Sequence, residues 1–288
     1  MQMPRPRERA RLPGAGRLLQ SQGVVTLRRI LLATVIAILL LAAIPVVPAA
    51  DVELPLHPAK PGPFSEPCPP SFREIANRTN YLAAISEELN RQWPTNRTVN
   101  IVCHGHSVPA GYFKTPTVDT FNAYPHLLHR GLKERFPYAV LNVIVTAIGG
   151  EDSVSGVRRF ERDVLAFRPD VVTIDYAGND RRIGLEPAEA AWRAMIRQAQ
   201  SAGAKVILLT PTPDMRAKLD DPSDPLNQHA EQIRRLAREC RVGLVDSLAL
   251  FQERLRAGES LTNLMSQVNH PNRAGHELVA AALLRWFP

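Results

Sequence analysis

Five short runs of β-branched and apolar residues constrain this fold more than any other feature: Val99–Cys103, Val140–Ala147, Val171–Tyr176, Lys205–Thr210 and Val242–Val245. They are apolar on both faces, so the period-two alternation of a sheet with one wet side is missing. Between them lie longer amphipathic stretches near 124–135, 157–167, 187–202 and 224–240. A last one follows near 272–286, and an earlier one, around 71–91, precedes the first strand. Strands buried on both sides and separated by helices demand a parallel sheet with helices on each face. The expected class is α/β, a three-layer α/β/α sandwich on a parallel five-stranded sheet. Sites in such folds form where the carboxyl ends of the strands meet short loops.

The two ends of the chain differ sharply in charge. Residues 1–29 hold seven arginines and one glutamate, a net of +6, out of +7 for the whole sequence. What remains carries about +1, so the basic face that a nucleic-acid binder needs is absent from the folding part. After the arginines, Ile30 to Ile44 run without a charge and the small residues Ala49 and Ala50 follow. This is the pattern of an export signal over residues 1–50, cleaved or retained as an anchor through 30–47. Residues 51–70 are proline-dense and read as a linker. The folded domain is expected over 71–288 in an exported protein, secreted or periplasmic. Membrane contact is then confined to the leader. In an oxidising compartment Cys68 and Cys240 could pair, leaving Cys103 as a buried thiol.

Chemistry-bearing residues gather where the predicted strands end. The first run leads into His104-Gly105-His106-Ser107, the second into Gly149-Gly150-Glu151, the third into Ala177-Gly178-Asn179-Asp180, and His270 stands just before the last helix. Acyl transfer needs a hydroxyl, a base to take its proton, and donors for the oxyanion of the tetrahedral intermediate. Ser107 offers the hydroxyl and His270 the base. The backbone N–H groups of Ser107 and Gly150 and the side-chain amide of Asn179 offer the hole.

Ser107, Gly150, Asn179 and His270, in that order, together with "GND" and "HPNRAGH", resemble the SGNH (GDSL-type) hydrolases over about residues 98–286. The resemblance implies a flavodoxin-like sheet order and ester hydrolysis without a cofactor or metal. The chain departs from the family pattern in three places. His106 stands in the aspartate position of Gly-Asp-Ser and Ala177 in the glycine position of Gly-x-Asn-Asp. Gln267 occupies the place of the triad aspartate three residues before the histidine. A Ser107–His270 dyad is therefore expected, with His270 oriented by the Gln267 side chain or by a backbone carbonyl.

The substrate expected from family and export is an ester of small acyl groups, acetyl foremost, on a small molecule or extracellular glycan. An O-acyltransferase and a catalytically dead glycan-binding module are the alternatives. His104 and His106 at a strand end could be a metal pair, but no second pair follows at a later strand end. The reading preferred here has them, with Asp180 and Arg181, lining the pocket or bonding the nucleophile loop. Arg181 and Arg182 either meet an anionic substrate or are solvated. His276 reads as structural, and Asp246 as the cap of a helix after the fifth strand.

Overall fold

The structure, a computed structural model, describes residues 75–288. The expected leader (1–50), the linker (51–70) and Cys68 lie outside the described residues.

One parallel sheet is built from β1 (Thr98–Gly105), β2 (Val140–Val145), β3 (Val171–Asp175), β4 (Lys205–Leu209) and β5 (Gly243–Val245). Its order is β2-β1-β3-β4-β5, the expected flavodoxin-like arrangement. The chain steps from β1 outward to β2, then crosses back to β3 on the other side. That reversal opens a crevice beyond the carboxyl ends of β1 and β3.

The longer helices are α1 (Ala83–Asn90), α2 (Tyr124–Arg135), α3 (Ser153–Arg158), α4 (Leu185–Ser201), α5 (Pro225–Cys240), α6 (Ser247–Arg256) and α7 (Arg273–Leu284). Successive strand residues point to opposite faces, and both faces are apolar. Ile101 and Cys103 of β1 and Ile207 and Leu209 of β4 pack with α1, α2, α6 and α7. Val102, Val206 and Leu208 pack on the other side, against Trp192, Met195 and Ile196 of α4 and Ile233 and Leu236 of α5. Three layers result from this alternation.

Helix starts follow local chemistry. Asp224, Asp246 and Asn272 cap α5, α6 and α7, accepting from the N–H groups of Leu226, Ala249 and Gly275. The cap expected at Asp246 is thus present, and Arg234 and Thr210 hold its carboxylate from two other elements.

Three differences from the sequence pattern have physical causes. The 157–167 stretch is not one helix: α3 ends, Phe160–Asp163 forms a single turn and Leu165–Phe167 a 3₁₀ turn. The break falls at Arg159, whose guanidinium turns inward to donate to the Thr146 carbonyl at 2.7 Å and to Glu151. The 71–91 pattern yields a helix only from Ala83. Before it, the Asn77 side chain accepts from the Thr79 N–H at 3.0 Å and closes a turn instead. Finally, β6 (Met265–Gln267) and β7 (His270–Pro271) form a small antiparallel pair that periodicity did not indicate. No helix among the described residues is long and apolar enough to cross a membrane.

Candidate active site

Ser107 begins a single helical turn, Ser107–Ala110, directly after β1. Its backbone N–H belongs to a first turn, where such groups have no intrahelical acceptor. Gly105 makes the turn possible: a Cβ there would lie 2.5 Å from the Asp175 carbonyl and 2.7 Å from Pro109 Cγ. Any side chain would force the ends of β1 and β3 apart.

The β6–β7 pair delivers His270 to this point from 163 residues away, with its Nε2 2.9 Å from Ser107 Oγ. Both residues are buried, with 8% and 6% of their surface exposed, so the pair is shielded but not sealed. On the ring's other side Nδ1 meets the Phe113 carbonyl at 2.9 Å and the Gln267 side-chain nitrogen at 2.8 Å. One ring nitrogen can serve only one of them. Gln267 is turned by its own oxygen, which accepts from the Thr115 N–H at 3.0 Å. The tautomer able to receive the serine proton carries its hydrogen on Nδ1 and donates it to Phe113. Of the two expected orienting groups, the backbone carbonyl thus takes the place that a carboxylate holds in the family pattern, and the Gln267 amide N–H competes with it. Phe113 is itself braced by stacking on His276, ring centroids 5.1 Å apart.

Burial lowers the His270 pKa; the Phe113 carbonyl works against this, and His106 adds to the lowering. His276 accepts from the Tyr124 N–H at 3.1 Å, and burial pushes its pKa down to about 3, with the charge of His270 contributing. It is the structural histidine expected from sequence.

Asn179 stands in the turn Ala177–Asp180 after β3 and donates one amide hydrogen to the Glu151 carbonyl at 2.8 Å. Its second amide hydrogen is the candidate oxyanion donor. Gly150 is exposed, with φ at +79°, a conformation glycine adopts without strain. Arg182 donates to its carbonyl and holds the loop. Asn179 and Ser107 share a cavity of about 20 Å³ with His106, Gly178, Arg181, Thr212, Pro213, Asp214, Leu226 and Asn269.

Two expected pocket residues are elsewhere. His104 is fully buried beneath the site, between the Thr146 hydroxyl at 2.8 Å and Tyr176 at 3.0 Å. Burial, and then the charge of Arg159, push its pKa down to about 4. Asp180 is also fully buried and accepts from the Ser153 N–H at 2.8 Å and the Trp192 indole at 2.7 Å. It ties the start of α3 to α4, which fixes the Gly150 loop relative to Asn179. Burial pushes its carboxyl pKa up.

His104 and His106 also part company as a metal pair, one ring going to Thr146 and Tyr176, the other to Val108 and Asp175. Among the described residues no cluster of three or more His, Cys, Asp or Glu is disposed to hold a metal ion.

Arg181 does line the cavity, but it donates to Asp214 at 2.8 Å, as does Arg216 at 2.7 Å. Burial alone would raise the Asp214 carboxyl; the two guanidiniums outweigh it and hold it well below the usual range. The charge of Arg181 is therefore partly matched within the protein. Sequence reasoning missed Asp214, Thr212 and Asn269, although Asp214 stands shortly after a strand end. Which backbone carbonyl would face His270 could not be read from the sequence, because a backbone acceptor leaves no residue type to recognise. A larger groove of about 1000 Å³, lined by Glu189, Arg193, Asn227, Arg235 and others, contains none of these residues. Its charges are largely matched among themselves, as in Arg193 and Arg235 with Glu189.

The sequence matches the GDSL-like lipase/acylhydrolase family over residues 103–278, and the chain belongs to that family. It is an ester hydrolase of the GDSL type, as its relatives are. An acetylxylan esterase of Geobacillus stearothermophilus is 26% identical over 166 residues, 54% of this chain and 75% of that protein. Esterase TesA of Pseudomonas aeruginosa is 33% identical over 95 residues, 32% of this chain and 46% of that protein. In structure, the same acetylxylan esterase superimposes with a TM-score of 0.58 at 24% identity, covering 66% of this chain and 94% of its own. A two-domain esterase active on acetylated mannans gives 0.59 at 22% identity, over 75% of this chain and 54% of its own. Variants of the acetylxylan esterase described as catalytic mutants include one at a histidine and one at an aspartate three residues earlier. Three residues before His270 this chain has Gln267.

Proposed function

We propose that this chain is a serine esterase that removes small O-acyl groups, acetyl foremost, from a carbohydrate through a Ser107–His270 dyad. The observation that carries the reading is the 2.9 Å contact between Ser107 Oγ and His270 Nε2. In this scheme Ser107 attacks the ester carbonyl as His270 takes its proton. The oxyanion is met by the N–H groups of Ser107 and Gly150 and the amide of Asn179. His270 then returns the proton to the departing alcohol, leaving an acyl-enzyme. Water deprotonated by the same imidazole releases the acid.

Three observations support the substrate class. The cavity beside Ser107 and Asn179 is small, about 20 Å³, which favours a short acyl group over a long chain. Two of the relatives named above are described as an acetylxylan esterase and as an esterase active on acetylated mannans. The arginine-rich, then apolar, N-terminus supports export to where such glycans lie. The test is acetate release by the full chain from acetylated xylan and mannan, beside a series of longer acyl esters. Acetyl esters should turn over fastest, and Ser107→Ala should lower kcat by roughly 10³-fold or more. Undiminished turnover by that variant would remove the nucleophile assignment. A preference for long acyl chains would remove the acetyl assignment alone.

A further inference from the structure

The carboxylate missing beside His270 has a counterpart on the other side of the serine. Gly105 of β1 stands opposite Asp175 of β3 in the sheet, and the His106 N–H donates to the Asp175 carbonyl at 3.1 Å. This register brings the His106 ring over the Asp175 carboxylate, with Nε2 3.4 Å from Oδ1. Both side chains are nearly sealed from solvent, 6% and 3% exposed. Nε2 makes no aligned hydrogen bond and faces this carboxylate, whose other oxygen accepts from the Tyr124 hydroxyl at 3.3 Å.

The opposite ring nitrogen decides the tautomer. His106 Nδ1 lies 3.2 Å from the Val108 N–H, which donates to it, so Nδ1 bears a lone pair and the proton sits on Nε2. The reverse tautomer would set two N–H groups against each other and leave the Asp175 carboxylate facing a lone pair. The same Nδ1 is 3.4 Å from Ser107 Oγ. The serine hydroxyl therefore lies between two imidazoles, with His270 at 2.9 Å and His106 at 3.4 Å.

We propose that Asp175 and His106 form a second carboxylate–imidazole pair that positions the nucleophile. Asp175 holds His106 with its proton on Nε2. The Nδ1 lone pair then accepts from the Val108 N–H and fixes the turn that carries Ser107, which holds Ser107 Oγ within 2.9 Å of His270 Nε2. His106 takes no proton during turnover; it is a positioning residue acting through Ser107. This arrangement offsets the weak orientation of His270, whose Nδ1 has only a carbonyl acceptor and a competing amide. The inference rests on Ser107 being the nucleophile.

A double-variant comparison in the full chain tests it. His106→Asn keeps an acceptor, Oδ1, at the place of Nδ1 and needs no tautomer. His106→Ala should lower kcat by roughly 10- to 100-fold with KM little changed, and His106→Asn should restore most of it. Asp175→Asn should lower kcat about tenfold in the native chain but add almost nothing on top of His106→Asn, since coupled residues are not additive. In nitrogen–proton NMR spectra the His106 proton should reside on Nε2. Three results would each overturn the proposal: an equal cost of Asp175→Asn in both backgrounds, an unchanged kcat in folded His106→Ala, or a proton on Nδ1. The NMR reading stands even if a variant fails to fold. Ser107→Ala, measured alongside, separates the two assignments. If it is inactive while His106→Ala is not impaired, only this inference falls; if it remains active, the nucleophile assignment falls first.

Discussion

Two histidines leave the end of the first strand and enter opposite kinds of surroundings. His104 joins a closed network: Thr146 and Tyr176 meet its ring, the Tyr176 hydroxyl donates to Glu151 at 2.8 Å, and Arg159 binds Glu151 and the Thr146 carbonyl. His106, two residues on, joins an open one. Its Nε2 faces the Asp175 carboxylate at 3.4 Å, Ser107 Oγ meets only imidazoles, and Asn179 has given just one amide hydrogen to the protein. A saturated buried network spends its capacity on holding the fold, while an unsaturated one keeps donors and acceptors for a reacting molecule. The contrast separates His104 from His106, which residue type does not.

Breaking the closed network should cost stability first. Glu151→Ala leaves the buried Arg159 guanidinium with the Asp163 carboxylate, 3.3 Å away, as its remaining charge partner, and the unfolding free energy in urea should fall by about 3 kcal/mol. The Glu151 carbonyl that holds Asn179 is backbone and survives, so kcat should suffer far less than stability. A variant as stable as the parent would show that the network is not a closed unit.

A smaller effect comes from pH. His104 has a folded pKa of about 4, below the ordinary 6.5, so the unfolded chain takes up the proton first as pH falls. Its contribution is fully present above pH 6.5 and is lost as pH falls towards 4. By pH 5 the loss should be on the order of 2 kcal/mol. His276, lower still at about 3, acts with the same sign. Urea titrations between pH 7 and 5 should show the decline, and a His104→Asn variant should show less of it. A flat profile would mean that His104 is not the buried neutral ring described.

The smallest effect sharpens the open side. His270 acts unprotonated and its pKa is lowered, so the acid limb of kcat/KM should lie below the ordinary imidazole value. Gln267→Asp would place a carboxylate at Nδ1, favour imidazolium and move that limb up by about one unit. An unmoved limb in a folded variant would mean that residue 267 does not face Nδ1 in the working enzyme.

The five apolar runs matched the five strands because burial on both faces leaves a composition that can be read locally. Ser107 and His270 were legible as strand-end and helix-entry residues, and the structure brings them together. His104 and Asp180 were misplaced in the pocket because a strand-end position does not tell which way a side chain turns. The role of Asp175 is invisible in the sequence, since its pairing with His106 depends on the β1–β3 register. The 157–167 helix was overextended because nothing local announces that Arg159 folds inward to Glu151.

By itself, the sequence determined the layered α/β class, the order of the reactive residues and the family. These follow from periodicity and from residue types whose chemistry is intrinsic. Only the tertiary structure decided that a carbonyl at Phe113 faces His270 from 157 residues away, and that Asp175 backs the histidine beside the serine. Hydrogen-bond partners are chosen by distance and direction in space, and a backbone acceptor or a cross-strand neighbour has no local pattern to betray it.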